Sequence, residues 1–123
     1  MKYLCLVYSE EKILNAMPKE ESDSFIDEHL ALRDELEESG HSIQAEALQT
    51  VQNAATVRVR NSKVSITDGP FAETKEQLTG FYYVNARDLN EAIQIAAKIP
   101  AARIGSVEVR LIRDLVTERK GES

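Results

Sequence analysis

His29 is the side chain of this sequence with the clearest potential for acid–base chemistry. Successive residues of a helix are turned by about 100°, so Phe25, His29, Leu32 and Leu36 fall on one narrow stripe. A histidine in such a stripe is either a packed core residue with one hydrogen bond or a general base that lines a cavity between helix and sheet. The core residue is the more common case. An ordinary imidazole pKa near ~6.5 would make the general base usable at neutral pH.

A second concentration of reactive residue types is the segment from Asp68 to Gly80, DGPFAETKEQLTG, which we call the DGPF segment. It joins two alternating apolar runs and is longer than most hairpin loops. The Asp-Gly-Pro start is typical of a bend that tucks Phe71 into the core. That bend leaves unexplained the run of titratable and hydrogen-bonding side chains from Glu73 to Gln77. These residues form either a binding loop or a solvated charged loop.

Other catalytic and metal-binding patterns are missing from the sequence. Cys5 is the single cysteine and lies in an apolar run, which is typical of an inert buried thiol. The two histidines have neither the i, i+4 spacing of a helical metal site nor a third ligand nearby. His41 is expected to be a solvated loop residue. With no nucleophile elbow and no glycine-rich phosphate loop either, we expect no metal and no cofactor.

The composition fits one small soluble domain. A chain of 123 residues can bury a core without disulfides. Its net charge of −6, without a basic stripe, argues against a nucleic-acid partner. The apolar start is broken at Ser9, so neither a membrane span nor a signal peptide is expected. We therefore expect a cytoplasmic protein with a single domain over residues 1–115 and a charged, mobile C-terminal tail over residues 116–123.

Periodicity and capping residues predict the elements that must position these side chains. Pro18 and the glutamates after it favour a helix start, and the helix runs to Ser39 before Gly40. Asp88, with a glutamate three residues later, predicts a second, capped helix that ends before Pro100. Residues 44–55 fit either a strand or a loop. The predicted strands are Lys2 to Tyr8, Thr56 to Arg60, Lys63 to Thr67, Phe81 to Asn85 and Ser106 to Ile112.

This order of elements predicts an α+β fold. With right-handed crossovers it closes most naturally as a ferredoxin-like βαβ-ββαβ antiparallel sheet with both helices on one face. The other face is then uncovered, and we place Val57, Val59 and Val107 on it. Because these side chains are too apolar to face water, we expect a homodimer that packs sheet against sheet.

The chain also resembles a known family over nearly all of its length. The resemblance is carried by MKYLCLVY, by TVRVRNSKVSITDGPFAETKEQLTGFYYV and by ARDLNEAIQIAAKIPAARIGSVEVR. On these residues it is identified as a member of the DGPF branch of the YCII-related proteins. The resemblance implies a dimeric α+β barrel of the ferredoxin-like kind. In the wider group a His paired with an Asp has been proposed as an acid–base dyad, and one relative eliminates chloride from a chlorinated hydroxyhydroquinone.

Carried onto this sequence, the resemblance implies a site between the first long helix and the sheet. His29-Leu30 through Gly40 matches the group's helix pattern, so His29 is the candidate base and Asp68 the candidate partner that orients it. The substrate expected there is a small phenolic or carbonyl-bearing molecule. Its candidate contacts are Phe71 and Glu73, with Lys75 or Arg103 stabilising developing negative charge.

A second interpretation is a ligand sensor or a protein-interaction module. Members of the DGPF branch are often encoded beside extracytoplasmic-function sigma factors, which implies a sigma factor as partner. This interpretation predicts that Glu73, Lys75 and Glu76 lie together on the surface, outside any pocket.

Overall fold

A computed structural model describes residues 1–121 as a mixed α and β structure. Its strands are β1 (Lys2–Ser9), β2 (Ser42–Ala47), β3 (Ala55–Arg60), β4 (Lys63–Asp68), β5 (Gln77–Asn85) and β6 (Ser106–Leu111). Its α-helices are α1 (Glu11–Ala16), α2 (Lys19–Glu38), α3 (Leu89–Ala97) and α4 (Leu115–Arg119), with short 3-10 helices at Val51–Asn53 and Pro100–Arg103. Within residues 1–121, no helix is both long and apolar enough to span a membrane.

The two long helices begin and end where their capping residues predict. Pro18 occupies the N-cap position of α2, and Gly40 follows its C-cap with a φ of 79°, in the left-handed region that glycine adopts readily. The Asp88 carboxylate accepts a hydrogen bond of 2.9 Å from the backbone N–H of Glu91, which confirms the predicted cap of α3.

Four strands form one antiparallel sheet in the order β2-β5-β1-β6. Helix α2 connects β1 to β2, and α3 connects β5 to β6, so each connection crosses over the sheet. The order of these four strands fits a ferredoxin-like arrangement, but the predicted single sheet is only partly confirmed, because the two strands between β2 and β5 are not part of it. Residues 44–55, which fitted either a strand or a loop, contain the end of edge strand β2 and a short 3-10 helix.

The core lies between this sheet and the two long helices. It contains alternate residues of β1 and β5, because successive strand side chains point to opposite faces. Both helices contribute to it, so they cover the same face. The buried members include Tyr3, Cys5, Val7, Tyr82 and Val84 from the strands, and Leu32, Leu36, Ala92, Ile95 and Ala96 from the helices.

The face of the sheet turned away from α2 and α3 carries the other set of alternating residues. Leu4 lies opposite Tyr83 and Leu6 lies opposite Phe81, and all four are half-buried. We call these four residues the open face. The expectation that Val107 lies on it is wrong, because Val107 pairs with Val7 and packs against the core.

Strands β3 and β4 form a separate two-stranded sheet. Asn61 and Ser62 turn the chain with φ values of 51° and 64°, which confirms the predicted tight hairpin. Val57 and Val59 belong to this hairpin, so their predicted place on the uncovered face of the main sheet is also wrong. No local pattern in the sequence distinguishes the strands of this hairpin from those of the main sheet.

Two short helices were not evident in the sequence. Helix α1 lies between β1 and α2, in a stretch for which the sequence predicts no element. Helix α4 begins at Leu115 and includes residues 116–119 of the predicted tail; its cap is Asp114, whose carboxylate accepts a 3.1 Å hydrogen bond from the Thr117 N–H. The last two residues of the predicted tail lie outside the described residues.

Candidate functional site

A cavity of about 380 Å³ lies between the N-terminal half of α2 and the sheet. Most of its wall is apolar, and α1 with the residues after it contributes Leu14 and Met17. From α2 it is lined by Phe25, His29 and Arg33, among others. A volume of this size is at the lower end of the range for small-molecule sites.

Small residues on the floor of the cavity account for the free space. Ala45 and Ala47 of β2 and Gly80 of β5 all line it. Gly80 allows β2 and β5 to approach closely, because a Cβ there would lie 2.8 Å from the backbone oxygen of Glu46. The sheet therefore offers little side-chain volume beneath this half of α2.

The His29 ring is held by the hydroxyl of Tyr82. Nδ1 of His29 lies 2.7 Å from Oη of Tyr82, and the same hydroxyl lies 3.5 Å from the backbone oxygen of His29. The bond at Nδ1 forms in either tautomer of the neutral ring: the hydroxyl donates to Nδ1, or Nδ1–H donates to the hydroxyl, which then donates to the backbone oxygen. Phe25 meets the imidazole edge-on, with ring centroids 4.9 Å apart. The histidine is therefore fixed in orientation.

Burial shifts the pKa values of His29 and Tyr82 in the directions that favour the neutral form of each side chain. It lowers the pKa of His29, an effect that the charge of Glu28 opposes and that of Arg103 reinforces. It raises the pKa of Tyr82 to about 12, although Arg33 acts in the opposite direction. At neutral pH the pair is therefore an uncharged imidazole bonded to an uncharged phenol.

Hydroxyl groups add polar points to the cavity wall. Ser9 is only 1 % exposed, and its Oγ accepts a hydrogen bond of 3.5 Å from Oγ1 of Thr79. Glu11 also lines the cavity, but its carboxylate accepts the Val51 N–H at 3.2 Å. Arg33 supplies a positive charge one helical turn beyond His29. An apolar cavity with a few convergent polar groups suits a small ligand that has one polar end.

The predicted site residues do not all meet at this cavity. His29 lines it, whereas Asp68, Phe71, Glu73, Lys75 and Arg103 are not among its lining residues. Asp68 is the exposed last residue of β4 and lies opposite Ala55. The Arg103 guanidinium donates a 2.7 Å hydrogen bond to Glu28 on the surface beside His29. The structure brings His29 together with Tyr82 rather than with Asp68.

Residues 71–75 of the DGPF segment lie on the surface. The interpretation of Phe71 as a core residue is wrong, because Phe71 is 82 % exposed, with the Arg58 guanidinium 5.8 Å from its ring. Glu73 and Lys75 are exposed, and Glu76 is half-buried and accepts a 2.8 Å hydrogen bond from Ser106. Residues 68–76 of the segment therefore do not line the cavity, whereas Thr79 and Gly80 at its end do.

The second histidine joins the two long helices. His41 Nδ1 lies 2.7 Å from Ser39 Oγ, and Nε2 lies 3.3 Å from a carboxylate oxygen of Glu91. His41 is half-buried, so the expectation of a solvated loop residue is wrong. The Ser39 hydroxyl donates to the backbone oxygen of Leu36, which is a capping arrangement rather than an activated nucleophile. Within residues 1–121, no cluster of three His, Cys, Asp or Glu side chains could hold a metal ion.

Sequence reasoning missed Tyr82, Ser9 and Arg33 as residues of the site. Tyr82 is the middle one of three consecutive aromatic residues in β5. The alternation of burial along this strand would have selected it as inward-facing. Arg33 is four residues after His29, so helical spacing places both on one face. No local signal distinguishes Ser9.

Comparison with known proteins supplies the family. The model of the YCII-related domain matches residues 1–116. An uncharacterized protein of Rhizobium meliloti (strain 1021) is 37% identical over 112 residues, which are 89% of this chain and 90% of that protein. The match extends over the cavity, the hairpin and the DGPF segment, and we conclude that this chain belongs to the YCII-related family.

Proposed function

We propose that the cavity binds a small molecule with an apolar body and one acidic or carbonyl group, and that His29 exchanges a proton with it. The observation that carries this proposal is the 2.7 Å hydrogen bond between His29 and Tyr82 at the wall of an apolar cavity. A histidine that served only to fill the core would not need an adjoining volume of about 380 Å³. A single-ring phenol or a short keto acid suits this volume and this polarity.

The Tyr82 hydroxyl allows His29 to act as an acid or as a base. While Tyr82 donates to Nδ1, the Nε2 proton is available to the ligand. In the other tautomer of the ring, Nδ1 carries the proton and donates to Tyr82, whose hydroxyl donates to the backbone oxygen of His29, 3.5 Å away. Nε2 then holds a lone pair that accepts a proton from the ligand, and the ligand becomes an anion beside the positive charge of Arg33. The chloride elimination of the relative would be one use of such proton transfer.

A binding experiment with matched histidine variants tests this proposal. The probe is a panel of hydroxylated benzenes and short keto acids, with affinity measured by NMR chemical-shift titration at pH 7.5. For a compound that binds the wild type, His29→Gln should weaken binding by about tenfold or more, and Tyr82→Phe should weaken it less. His41→Gln, which changes the histidine outside the cavity, should leave the affinity unchanged. Equal affinities in His29→Gln and wild type would contradict the proposal.

A second candidate function is supported by the exposed part of the DGPF segment. Of the three residues of the interaction interpretation, Glu73 and Lys75 are exposed and Glu76 is half-buried, and none of them lines the cavity. The partner in this case would be an extracytoplasmic-function sigma factor encoded by the same genome. Binding of the purified sigma factor to the wild type and to Lys75→Glu is measured by titration. Lys98→Glu, at the C-terminal end of α3, is the control with the same change of charge. Equal binding of the sigma factor to the two variants, or no binding to the wild type, would argue against this second function.

We also propose that two copies associate through the open face, as in a dimeric α+β barrel. Its two aliphatic and two aromatic residues remain half-buried in one chain. Stacking two such faces would remove this apolar surface from water. Light scattering on a purified sample should give twice the chain mass, and Tyr83→Asp should shift it toward the mass of one chain. The measured mass of a single chain at all concentrations would contradict the dimer.

A further inference from the structure

The hairpin formed by β3 and β4 has one exposed face that is apolar except for Asp68 at the base of the hairpin. Val57 lies opposite Ile66, and Val59 lies opposite Val64, so four β-branched side chains share one side. Their exposures are 60% for Val57, 57% for Val59, 66% for Val64 and 68% for Ile66. The other side carries only polar residues, namely Thr56, Arg58, Arg60, Lys63, Ser65 and Thr67.

A hairpin of this kind needs a covering surface. An isolated two-stranded hairpin is at best marginally stable in water, and contiguous exposed apolar residues mark interaction sites. The two strands pair only with each other and form their own sheet. None of the four apolar residues lines the ligand cavity. At the base of the hairpin, the Gly69 N–H donates to the backbone oxygen of Ala54 at 2.8 Å.

We propose that the apolar face of the hairpin packs against a second copy of this chain, so that each hairpin is an arm that holds the partner copy. The proposal rests on the dimer proposed above, and it adds a contact that stacking of the open faces does not supply. Under two-fold symmetry both arms become covered in one association step. Each copy then offers apolar surface and has its own apolar surface covered.

Charge favours a second copy as the occupant. Between residues 55 and 68 the hairpin carries Arg58, Arg60 and Lys63 against the single carboxylate of Asp68, although the whole chain has a net charge of −6. The remainder of each copy is therefore strongly acidic. A basic arm is attracted to the acidic body of another copy, whereas two acidic bodies without arms repel each other.

Charge-introducing variants on the two sides of the hairpin test this arm. Ile66→Asp places a charge on the apolar face, and Ser65→Asp places the same charge on the adjacent residue of the polar face. Dimer dissociation constants are measured by analytical ultracentrifugation for the wild type and both variants. Ile66→Asp should raise the dissociation constant by about tenfold or more, and Ser65→Asp should change it by less than about threefold.

Isotope-filtered NMR on a mixed sample keeps the test independent of hairpin folding. One copy carries labelled Val and Ile methyl groups and the other is unlabelled. Intermolecular NOEs from the methyls of Val57, Val59, Val64 or Ile66 would support the arm. A wild-type monomer would overturn both the dimer and the arm. A dimer that Tyr83→Asp dissociates, but that Ile66→Asp leaves unchanged and that lacks these NOEs, would overturn the arm alone.

Discussion

The two ends of helix α2 lie over the same sheet but differ in what fills the space beneath them. Near the C-terminal end, Leu32 and Leu36 are 5% and 2% exposed and belong to the closed core. Nearer the N-terminal end, Ile26 and Leu30 are 51% and 41% exposed and border the cavity. One end of the helix stabilises the fold, and the other end leaves room for a ligand.

The sheet residues account for this difference. Leu32 and Leu36 belong to one buried core with Val84 and Tyr3, whereas the cavity beside the open end is lined by Ala47 and Gly80. The helix supplies apolar side chains along its whole length, so it cannot by itself determine where a cavity forms. The volume of the facing strand residues determines it, because protein interiors are close-packed and space remains only where facing side chains are too small to fill it.

The largest effect that we predict comes from truncating the packed end. Leu36→Ala should lower the free energy of unfolding by about 2–5 kcal/mol, because it removes buried apolar surface and leaves a void. Leu30→Ala is the same substitution on the same helix at the cavity, and it should cost less than about 1 kcal/mol, since Leu30 is already partly exposed. Urea denaturation followed by circular dichroism measures both. Similar losses in the two variants would contradict the distinction between the two ends.

A smaller effect should follow from adding volume to the cavity floor. Gly80→Ala should destabilise the fold by about 1–3 kcal/mol, because its Cβ would lie 2.8 Å from the Glu46 backbone oxygen and would push β2 away from β5. Ala47→Val adds more volume on the same floor, but toward the open cavity, so its effect should be under about 1 kcal/mol. Thermal denaturation of both variants measures this difference. If Ala47→Val destabilised the fold more than Gly80→Ala does, the space beside Ala47 would not be an open cavity.

The smallest effect is a pH dependence at the cavity. Burial lowers the pKa of His29 in the folded chain below the ordinary value near ~6.5, so the unfolded chain takes up a proton first as the pH falls. The contribution of neutral His29 to stability is therefore complete above pH ~6.5 and declines as the pH falls toward the folded-state pKa. His29→Gln should remove this part of the acid destabilisation, which denaturation at pH 7.5 and at lower pH would measure.

NMR titration of the imidazole provides the direct check. The His29 pKa should lie below the ordinary value in the wild type, because burial disfavours the charged ring. A pKa at or above the ordinary value in the wild type would contradict the buried, neutral His29.

Local signals made part of the fold predictable. The bounds of α2, the cap of α3 and the tight turn at Asn61 and Ser62 all depend on residues within a few positions of each other, and all three predictions are confirmed. Edge strand β2 was not assigned from the sequence, because its main partner is β5, far along the chain. The helical stripe placed His29 toward the sheet, but it did not identify Tyr82, 53 residues away.

The sequence by itself determined the two long helices, the hairpin and the inward direction of His29, because periodicity and capping act between neighbouring residues. It also suggested the family through the DGPF segment. Only the tertiary structure decided that the cavity is bordered by Tyr82 rather than by Asp68, and that the hairpin leaves the main sheet with its apolar face exposed. Both outcomes depend on which strands pair and how much volume meets across the layers, and these contacts join residues that are distant in the chain.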